Sequence, residues 1–300
     1  MQENTAIVLA SFGTTGETAV GGILAIRDAL AAAFPRTDIR LAFTSNQVRR
    51  IWSRRAADPA YLAAHPEIPG EILGIQGALA AIATLQDQGY TSLVIQPTHI
   101  TPAEEFHDLA AYVHGLLSIR TLQPRRQPFQ TIALGRPLLG AYSPDHPYAD
   151  DILALAQALA ADAALALRHH ATLVYMGHGN RHFPFGGLYL EFAARMRQLY
   201  PEILTLAGTV EGFPSFDTVL ATLRLQKVRR VLLKPLLVVA GEHAIRDLAG
   251  PQESSWKSML GRERIEVLPV AKGLSEHPGV ARIFVNHAAQ AAAEAGLELR

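Results

Sequence analysis

Several residue types and segments are scarce or missing in this sequence, and each gap excludes a class of protein. None of the 300 residues is a cysteine, which excludes disulfides, thiolate zinc sites, iron–sulfur clusters and a thiol nucleophile. Charged residues make up only 18%, and 27 basic side chains balance 27 acidic ones. Because binding to nucleic acid phosphates requires an excess of Lys and Arg, no nucleic-acid partner is expected.

Long apolar runs are also missing. The run from Ala6 to Ala10 has the length of a strand, follows no basic segment, and is too short for the core of a signal peptide. No stretch reaches the roughly 18 apolar residues of a membrane span. We therefore expect a soluble, cytoplasmic protein with no membrane partner. A hydrophobic fraction of 49% predicts folded domains rather than disorder.

Short aliphatic runs alternate with longer helical patterns, which is typical of an α/β fold with mostly parallel sheets. Eight strands are predicted: Ala6–Ser11, Ile39–Thr44, Ser92–Gln96, Thr131–Leu134, Thr172–Met176, Ile203–Thr209, Arg230–Lys234 and Ile265–Leu268. Helices are predicted between them, including Thr18–Phe34, Gly77–Gln88 and Asp150–Leu167. Prolines between Ala56 and Gly74 indicate an irregular insertion there.

The two halves of the chain share a pattern of strands and intervals. Phe12 and Ser45 are 33 residues apart, and so are His178 and Glu211. Such a repeated interval predicts a duplicated α/β domain. We expect domains at residues 1–138 and 139–272, each with a four-stranded sheet, and a C-terminal helix within 273–300 that packs back on the first domain.

Residues just beyond the carboxyl ends of the strands are the first candidates for a site, because open α/β sheets bind their ligands there. In the second half these positions hold His178, Glu211 and His243. Two imidazoles and one carboxylate are a common ligand set for a divalent metal, and they leave coordination positions open. These three residues are therefore the predicted catalytic and metal-binding residues. The equivalent positions in the first half are Phe12, Ser45 and Glu105.

An arginine cluster follows the second strand of the first half. It comprises Arg49, Arg50, Arg54 and Arg55, with Trp52 in the middle. Arginine pairs with carboxylates in a bidentate manner, so the cluster predicts a binding site for a polyanionic small molecule, with Trp52 as a flat surface.

Further predicted substrate contacts come from both halves: Phe12, Ser45 and Arg181, which lies close to His178. The dinucleotide fingerprint, the P-loop and the G-x-S-x-G elbow are all missing from the sequence. No nucleotide cofactor is therefore expected.

Longer segments resemble a known family. They are Ser11–Thr14, Ala42–Ser45, Gly208–Pro214, Pro235–Asp247, Ser255–Ser258 and Lys272–Pro278. On these residues the chain is similar to the anaerobic sirohydrochlorin cobaltochelatases, single-chain class II chelatases that are structurally akin to ferrochelatase. Three residues depart from the family pattern, which often has Asp where Glu242 stands, Asn where Arg246 stands and Gly where Ala103 stands.

The resemblance implies two similar three-layer α/β domains with an active-site cleft between them. It also implies ATP-independent insertion of Co²⁺ into sirohydrochlorin, a tetrapyrrole with eight carboxylates, with release of two protons, in anaerobic cobalamin biosynthesis. His178, Glu211 and His243 match the metal ligands of the family. Fe²⁺ or Ni²⁺ would fit the same ligands, and a homo-oligomer is possible. The alternatives are a ferrochelatase for sirohydrochlorin or protoporphyrin and a non-catalytic tetrapyrrole or metal carrier.

Overall fold

A computed structural model of the chain describes residues 4–123 and 126–300, which divide into two compact units. The first unit runs from residue 4 to His99 and adds Glu105–Pro137 and Phe284–Arg300. The second unit consists of Ile100–Glu104 and Leu138–Ile283. The predicted domain boundaries at residues 138 and 272 stay a prediction.

The first unit is built on a parallel four-stranded sheet with the order β2-β1-β3-β4. Its strands are β1 Thr5–Ser11, β2 Asp38–Phe43, β3 Ser92–Pro97 and β4 Thr131–Leu134. The accompanying helices are α1 Glu17–Ala33, α2 Asn46–Ala56, α3 Pro59–Ala64, α4 Gly70–Leu73, α5 Ala78–Asp87 and α6 Glu104–Ser118. Every residue of β1 is buried, as expected for a central parallel strand that is covered on both faces.

The second unit repeats this arrangement with the sheet order β6-β5-β7-β8, again fully parallel. Its strands are β5 Thr172–Asn180, β6 Thr205–Gly212, β7 Arg230–Pro235 and β8 Glu266–Pro269. Its helices are α7 Tyr148–Ala158, α8 Ala160–Arg168, α9 Gly186–Leu199, α10 Phe216–Leu225, α11 Glu242–Ala249 and α12 Trp256–Arg262. The last helix, α13 Pro278–Glu294, begins in the second unit, and its residues from Phe284 onward belong to the first. The predicted α/β fold class with two similar sheets is confirmed.

Two predicted elements differ from the structure. The single helix predicted over residues 150–167 is wrong, since α7 ends at Ala158 and α8 begins at Ala160; no proline or glycine marks this break in the sequence. The insertion between Ala56 and Gly74 is not irregular but forms the short helices α3 and α4. Asp58 begins α3 by accepting a hydrogen bond from the Ala60 amide at 2.9 Å, and Pro59 fits the first turn.

A buried polar network joins the second sheet to α8. Lys234 on β7 and Tyr175 on β5 are register partners. Lys234 forms an ion pair with Asp162, and the Tyr175 hydroxyl donates to the same carboxylate at 2.8 Å. His277 Nε2 lies 3.2 Å from Asp162 Oδ1. Burial acts to raise the pKa of Asp162, but the hydrogen bond with His277 and the Lys234 charge outweigh it, so the net pKa is lowered.

His99 is a second buried titratable group, and it lies just after β3. Its side chain is 9% exposed, and neither ring nitrogen has a hydrogen-bond partner among the described residues. Burial lowers the pKa of His99 to about 4, because an imidazolium loses its hydration there. The ring is therefore neutral in the folded protein at neutral pH.

We expect His99 to make the protein less stable as the pH falls from about 6.5 to about 4. The unfolded chain binds a proton on this histidine near pH 6.5 whereas the folded chain does not, which costs about 3 kcal/mol of unfolding free energy by pH 4. His99→Leu should reduce this pH dependence in urea unfolding. His114→Leu, which removes an exposed histidine of the same unit, should retain it. An unchanged slope in His99→Leu would contradict the prediction.

None of the helices in the described chain has the length and apolarity needed to cross a membrane.

Candidate metal site and a cavity in the first unit

Three of the predicted site residues lie at the carboxyl edge of the second sheet. β5 is the central strand between β6 and β7, and it carries His178. Glu211 is on β6, and His243 is in the first turn of α11, which follows β7 along the chain. His178 and His243 are exposed and Glu211 is partly exposed. The fold thus places His178 and Glu211 on adjacent strands and His243 on the helix that follows the third strand, β7.

β5 extends four residues beyond the predicted end at Met176, and this extension carries His178. Gly177 and Gly179 pair with Thr209 and Glu211 of β6. Gly179 has a φ of +76°, and a Cβ atom there would lie 1.9 Å from the Glu211 carbonyl oxygen. Only glycine fits this close approach, so the two glycines allow the strand to carry the histidine past the end of the regular sheet.

The tautomer of His178 follows from its hydrogen bond to the backbone. Its Nδ1 lies 3.1 Å from the carbonyl oxygen of Gly179. A carbonyl oxygen only accepts, so Nδ1 must carry the proton. In the neutral ring the free lone pair is then on Nε2, which is the arrangement of a metal-ligating histidine whose other nitrogen is fixed by the backbone.

Arginine side chains contact the other two candidate ligands, Glu211 and His243. Arg181 Nη2 lies 3.2 Å from Glu211 Oε1, and Arg246 Nη2 lies 3.0 Å from His243 Nδ1. In residues 4–123 and 126–300 there is no group of three or more His, Asp or Glu side chains arranged to hold one ion. The structure thus does not gather the three candidate ligands around one point, and two of them are paired with cationic side chains.

A cavity of about 610 Å³ lies within the first unit, at the carboxyl ends of its strands. Three predicted substrate contacts line it: Phe12, Ser45 and Arg49. Phe12 is 50% exposed, which makes its ring available to an apolar or flat ligand. The lining also includes Glu105, Asp108 and Tyr112 of α6, of which only Glu105 is marked by the sequence repeat. The last two come to the cavity by helical spacing, which only the packing of α6 reveals.

Part of the arginine cluster makes contacts within the first unit that the sequence does not predict. Arg49 donates to the carbonyl oxygens of Phe43 and Thr44 and to the Asn46 side chain, so its guanidinium holds the turn between β2 and α2. Ser45 begins α2 by accepting from the Val48 amide at 3.3 Å. Arg54 is exposed on α2.

The expectation that Trp52 offers a flat surface to a ligand is wrong. Its side chain is fully buried, and its indole Nε1 donates to the Thr14 carbonyl at 2.8 Å. Arg55 covers the ring, with its guanidinium carbon 4.6 Å from the Trp52 centroid. The tryptophan therefore packs α2 against the rest of the first unit.

The relatives of this chain are metal chelatases. A family model described as cobalt chelatase (CbiK) matches residues 5–293. A sirohydrochlorin cobaltochelatase of Salmonella typhimurium is 32% identical over 288 residues, which cover 95% of this chain and 96% of the relative. Sirohydrochlorin cobaltochelatase CbiKC of Nitratidesulfovibrio vulgaris is 30% identical over 283 residues, which cover 94% of this chain and 88% of the relative.

Two solved structures share the fold. SirB from Bacillus subtilis with Fe³⁺ aligns with a TM-score of 0.62 at 12% identity, covering 99% of this chain and 100% of its own. The sirohydrochlorin chelatase SirB from Bacillus subtilis subspecies spizizenii in complex with cobalt aligns with a TM-score of 0.58 at 14% identity, covering 97% of this chain and 96% of its own. At these identities the two structures support the architecture of paired α/β sheets.

Proposed function

The chain belongs to the cobalt chelatase (CbiK) family, and on that premise we propose that it is a sirohydrochlorin cobaltochelatase. The observation that carries the proposal is the match, over nearly the whole chain, to relatives that bear this name. The reaction inserts Co²⁺ into the tetrapyrrole and releases two pyrrole protons. It needs no nucleotide, and it supplies cobalt-loaded macrocycle to anaerobic cobalamin biosynthesis.

We assign the first contact with the metal to His178. Its Nε2 lone pair is available because Nδ1–H is held by the Gly179 carbonyl. An exposed position at a strand end lets the histidine take Co²⁺ from solution and pass it on, since two imidazoles and one carboxylate leave open coordination positions. His243 is the second proposed ligand. Borderline ligands of this kind bind cobalt, iron and nickel, so the ligand set alone does not select the metal.

Glu211 has two roles in the proposal, as third ligand and as proton acceptor. Co²⁺ enters the ring as two N–H protons leave, so each turnover needs a base close to the metal. A carboxylate beside the ion accepts one of the two protons when the metal moves from the protein to the pyrrole nitrogens, and the other proton passes to solvent water. Arg181, which contacts Glu211, moves to a substrate carboxylate in this scheme.

The proposed substrate contacts are Phe12, Ser45, Arg49, Arg54 and Arg181. Phe12 offers an exposed ring for packing against the macrocycle. The guanidinium groups of Arg54 and Arg181 are exposed and form bidentate pairs with carboxylates. Arg49 has donors committed to the turn after β2, and its role is to shape the cavity wall beside Ser45.

Turnover with sirohydrochlorin tests the proposed function directly. Purified protein at one-twentieth of the macrocycle concentration, under anaerobic conditions with Co²⁺, should convert the absorption spectrum to that of the cobalt complex well beyond one equivalent. Parallel reactions without protein measure spontaneous insertion, and reactions with Fe²⁺ or Ni²⁺ measure metal preference. A change that stops at one equivalent would indicate a tetrapyrrole carrier instead of an enzyme.

A further inference from the structure

Arg246 forms a hydrogen bond with a ring nitrogen of His243. The two residues are three positions apart on α11, which puts their side chains on one helix face. Arg246 Nη2 lies 3.0 Å from His243 Nδ1. A guanidinium has donors and no acceptor, so the hydrogen bond runs from Arg246 to the Nδ1 lone pair.

This direction fixes the tautomer of His243. With Nδ1 acting as acceptor, the proton of the neutral ring is on Nε2. Neither nitrogen then has a free lone pair, because one is bound by the arginine and the other carries hydrogen. His178 is the opposite case, since its Nδ1 donates to a carbonyl and its Nε2 is free. The two imidazoles of the proposed ligand set therefore differ: His178 offers a nitrogen lone pair to a metal ion, and His243 does not.

We propose that Arg246 acts as a latch that keeps His243 from binding Co²⁺ until an anionic substrate draws the guanidinium away. This inference rests on the proposed function, because it takes His243 as a metal ligand and a polycarboxylate macrocycle as substrate. A guanidinium pairs more strongly with a carboxylate than with a neutral imidazole. Once Arg246 has moved to a carboxylate, the His243 proton shifts to Nδ1 or Nδ1 itself binds the ion.

The ion pair between Arg181 and Glu211 also favours substrate binding before metal binding. Arg181 contacts Glu211 Oε1 at 3.2 Å, so a second ligand carries a cationic partner that a carboxylate-rich substrate competes for. Both guanidinium charges also repel a divalent cation. The proposal therefore predicts that the macrocycle binds before cobalt is held tightly. In this order, protein without substrate retains little metal.

The latch predicts that Arg246→Met strengthens binding of Co²⁺ alone. We expect about a fivefold lower Kd by isothermal titration calorimetry, which is the effect of removing one exposed charged contact. Arg224→Met is the matched control, because it removes an arginine of the same unit that pairs with Glu263, and its Kd should equal that of wild type. Arg246→Gln serves as a second variant without the positive charge.

A direct readout of the latch is the tautomer of His243. In ¹⁵N-histidine NMR spectra of metal-free wild type, His243 should show the Nε2–H form. The signal should move towards the Nδ1–H form in Arg246→Met and on addition of metal-free sirohydrochlorin to wild type. A purely structural arginine would leave the tautomer and the substrate response unchanged.

The outcomes separate the latch from the function that it rests on. If His178→Ala and His243→Ala weaken Co²⁺ binding while neither Arg246→Met nor Arg246→Gln strengthens it, the latch is overturned and the ligand set stands. If neither histidine variant affects Co²⁺ binding, the ligand set is wrong and the latch falls with it. Tighter binding in Arg246→Met with an unchanged Arg224→Met supports the proposal.

Discussion

His178→Ala should lower the rate of cobalt insertion by more than about a hundredfold, since it removes a proposed ligand that is already in the metal-binding tautomer. The backbone of β5 should be retained, because Gly177 and Gly179 make the pairing with β6 and the His178 side chain is exposed. Initial rates of Co²⁺ insertion measure the loss. Binding of metal-free sirohydrochlorin, followed by absorption titration, should stay within about twofold of wild type, a change worth less than about 0.5 kcal/mol.

His182→Ala is the matched control for this experiment. His182 is another exposed histidine, in the loop that follows β5, and its backbone amide donates to Asn180 Oδ1 at 2.7 Å, a bond that the substitution retains. The control variant should insert cobalt at close to the wild-type rate. Wild-type activity in His178→Ala would remove the residue from the mechanism, and a shared loss in both variants would indicate damage to the end of β5 and the loop after it instead of loss of a ligand.

Lys234→Met should reduce the free energy of unfolding by about 3 to 5 kcal/mol, because it leaves the Asp162 carboxylate buried without its cationic partner. Both side chains are only 3% exposed. Tyr175 and His277 still contact Asp162, but neither replaces a buried ammonium. Urea unfolding followed by circular dichroism measures the loss for the second unit.

Lys272→Met is the control for the buried lysine. Lys272 pairs with Glu276 at 3.1 Å on the surface, with 66% and 47% of the two side chains exposed, so its removal should cost less than about 1 kcal/mol. A Lys234→Met variant as stable as Lys272→Met would show that the buried pair contributes little. The double variant Asp162→Leu/Lys234→Met should lose less than the sum of the single variants, because it leaves no unpaired buried charge.

The effect of Lys234→Met should also depend on pH. The pKa of Asp162 is lowered in the folded protein, so its pairing contributes stability above the ordinary aspartate pKa of about 3.9 and loses it as the pH falls through the folded pKa. The difference between wild type and Lys234→Met should therefore shrink as the pH is lowered through about 4. A constant difference down to pH 3 would contradict the role assigned to the ionised carboxylate.

Sequence patterns predicted the strands well because each is a local apolar run. Thr131–Leu134 was predicted with its observed bounds, and seven other strands overlap their predictions. The end of β5 was missed because a histidine between two glycines does not look like a strand; pairing with β6 makes it one. The break at Leu159 was missed for a similar reason, since no local signal accompanies it.

The sequence offers candidate site residues by type and position, whereas it does not specify their contacts. The strand-end rule and the internal repeat predict His178, Glu211 and His243 as site residues. The structure has His178 and Glu211 on adjacent strands and His243 in the first turn of α11, and their role stays a prediction. Arginine and tryptophan were harder to assign, because both have long side chains that serve equally well on the surface and in packing. Trp52 is buried, and that depends on how α2 lies against the first unit.

The sequence by itself determined the α/β class, the duplication and the family, because apolar periodicity, repeated intervals and motif segments are properties of the chain as written. Tertiary structure decided which partner each polar group has. Three contacts depend on distances and directions that folding sets: the hydrogen bond from His178 to the Gly179 carbonyl, the hydrogen bond from Arg246 to His243, and the ion pair of Lys234 with Asp162. Hydrogen bonds act over about 3 Å and in one direction, so no pattern along the chain specifies them.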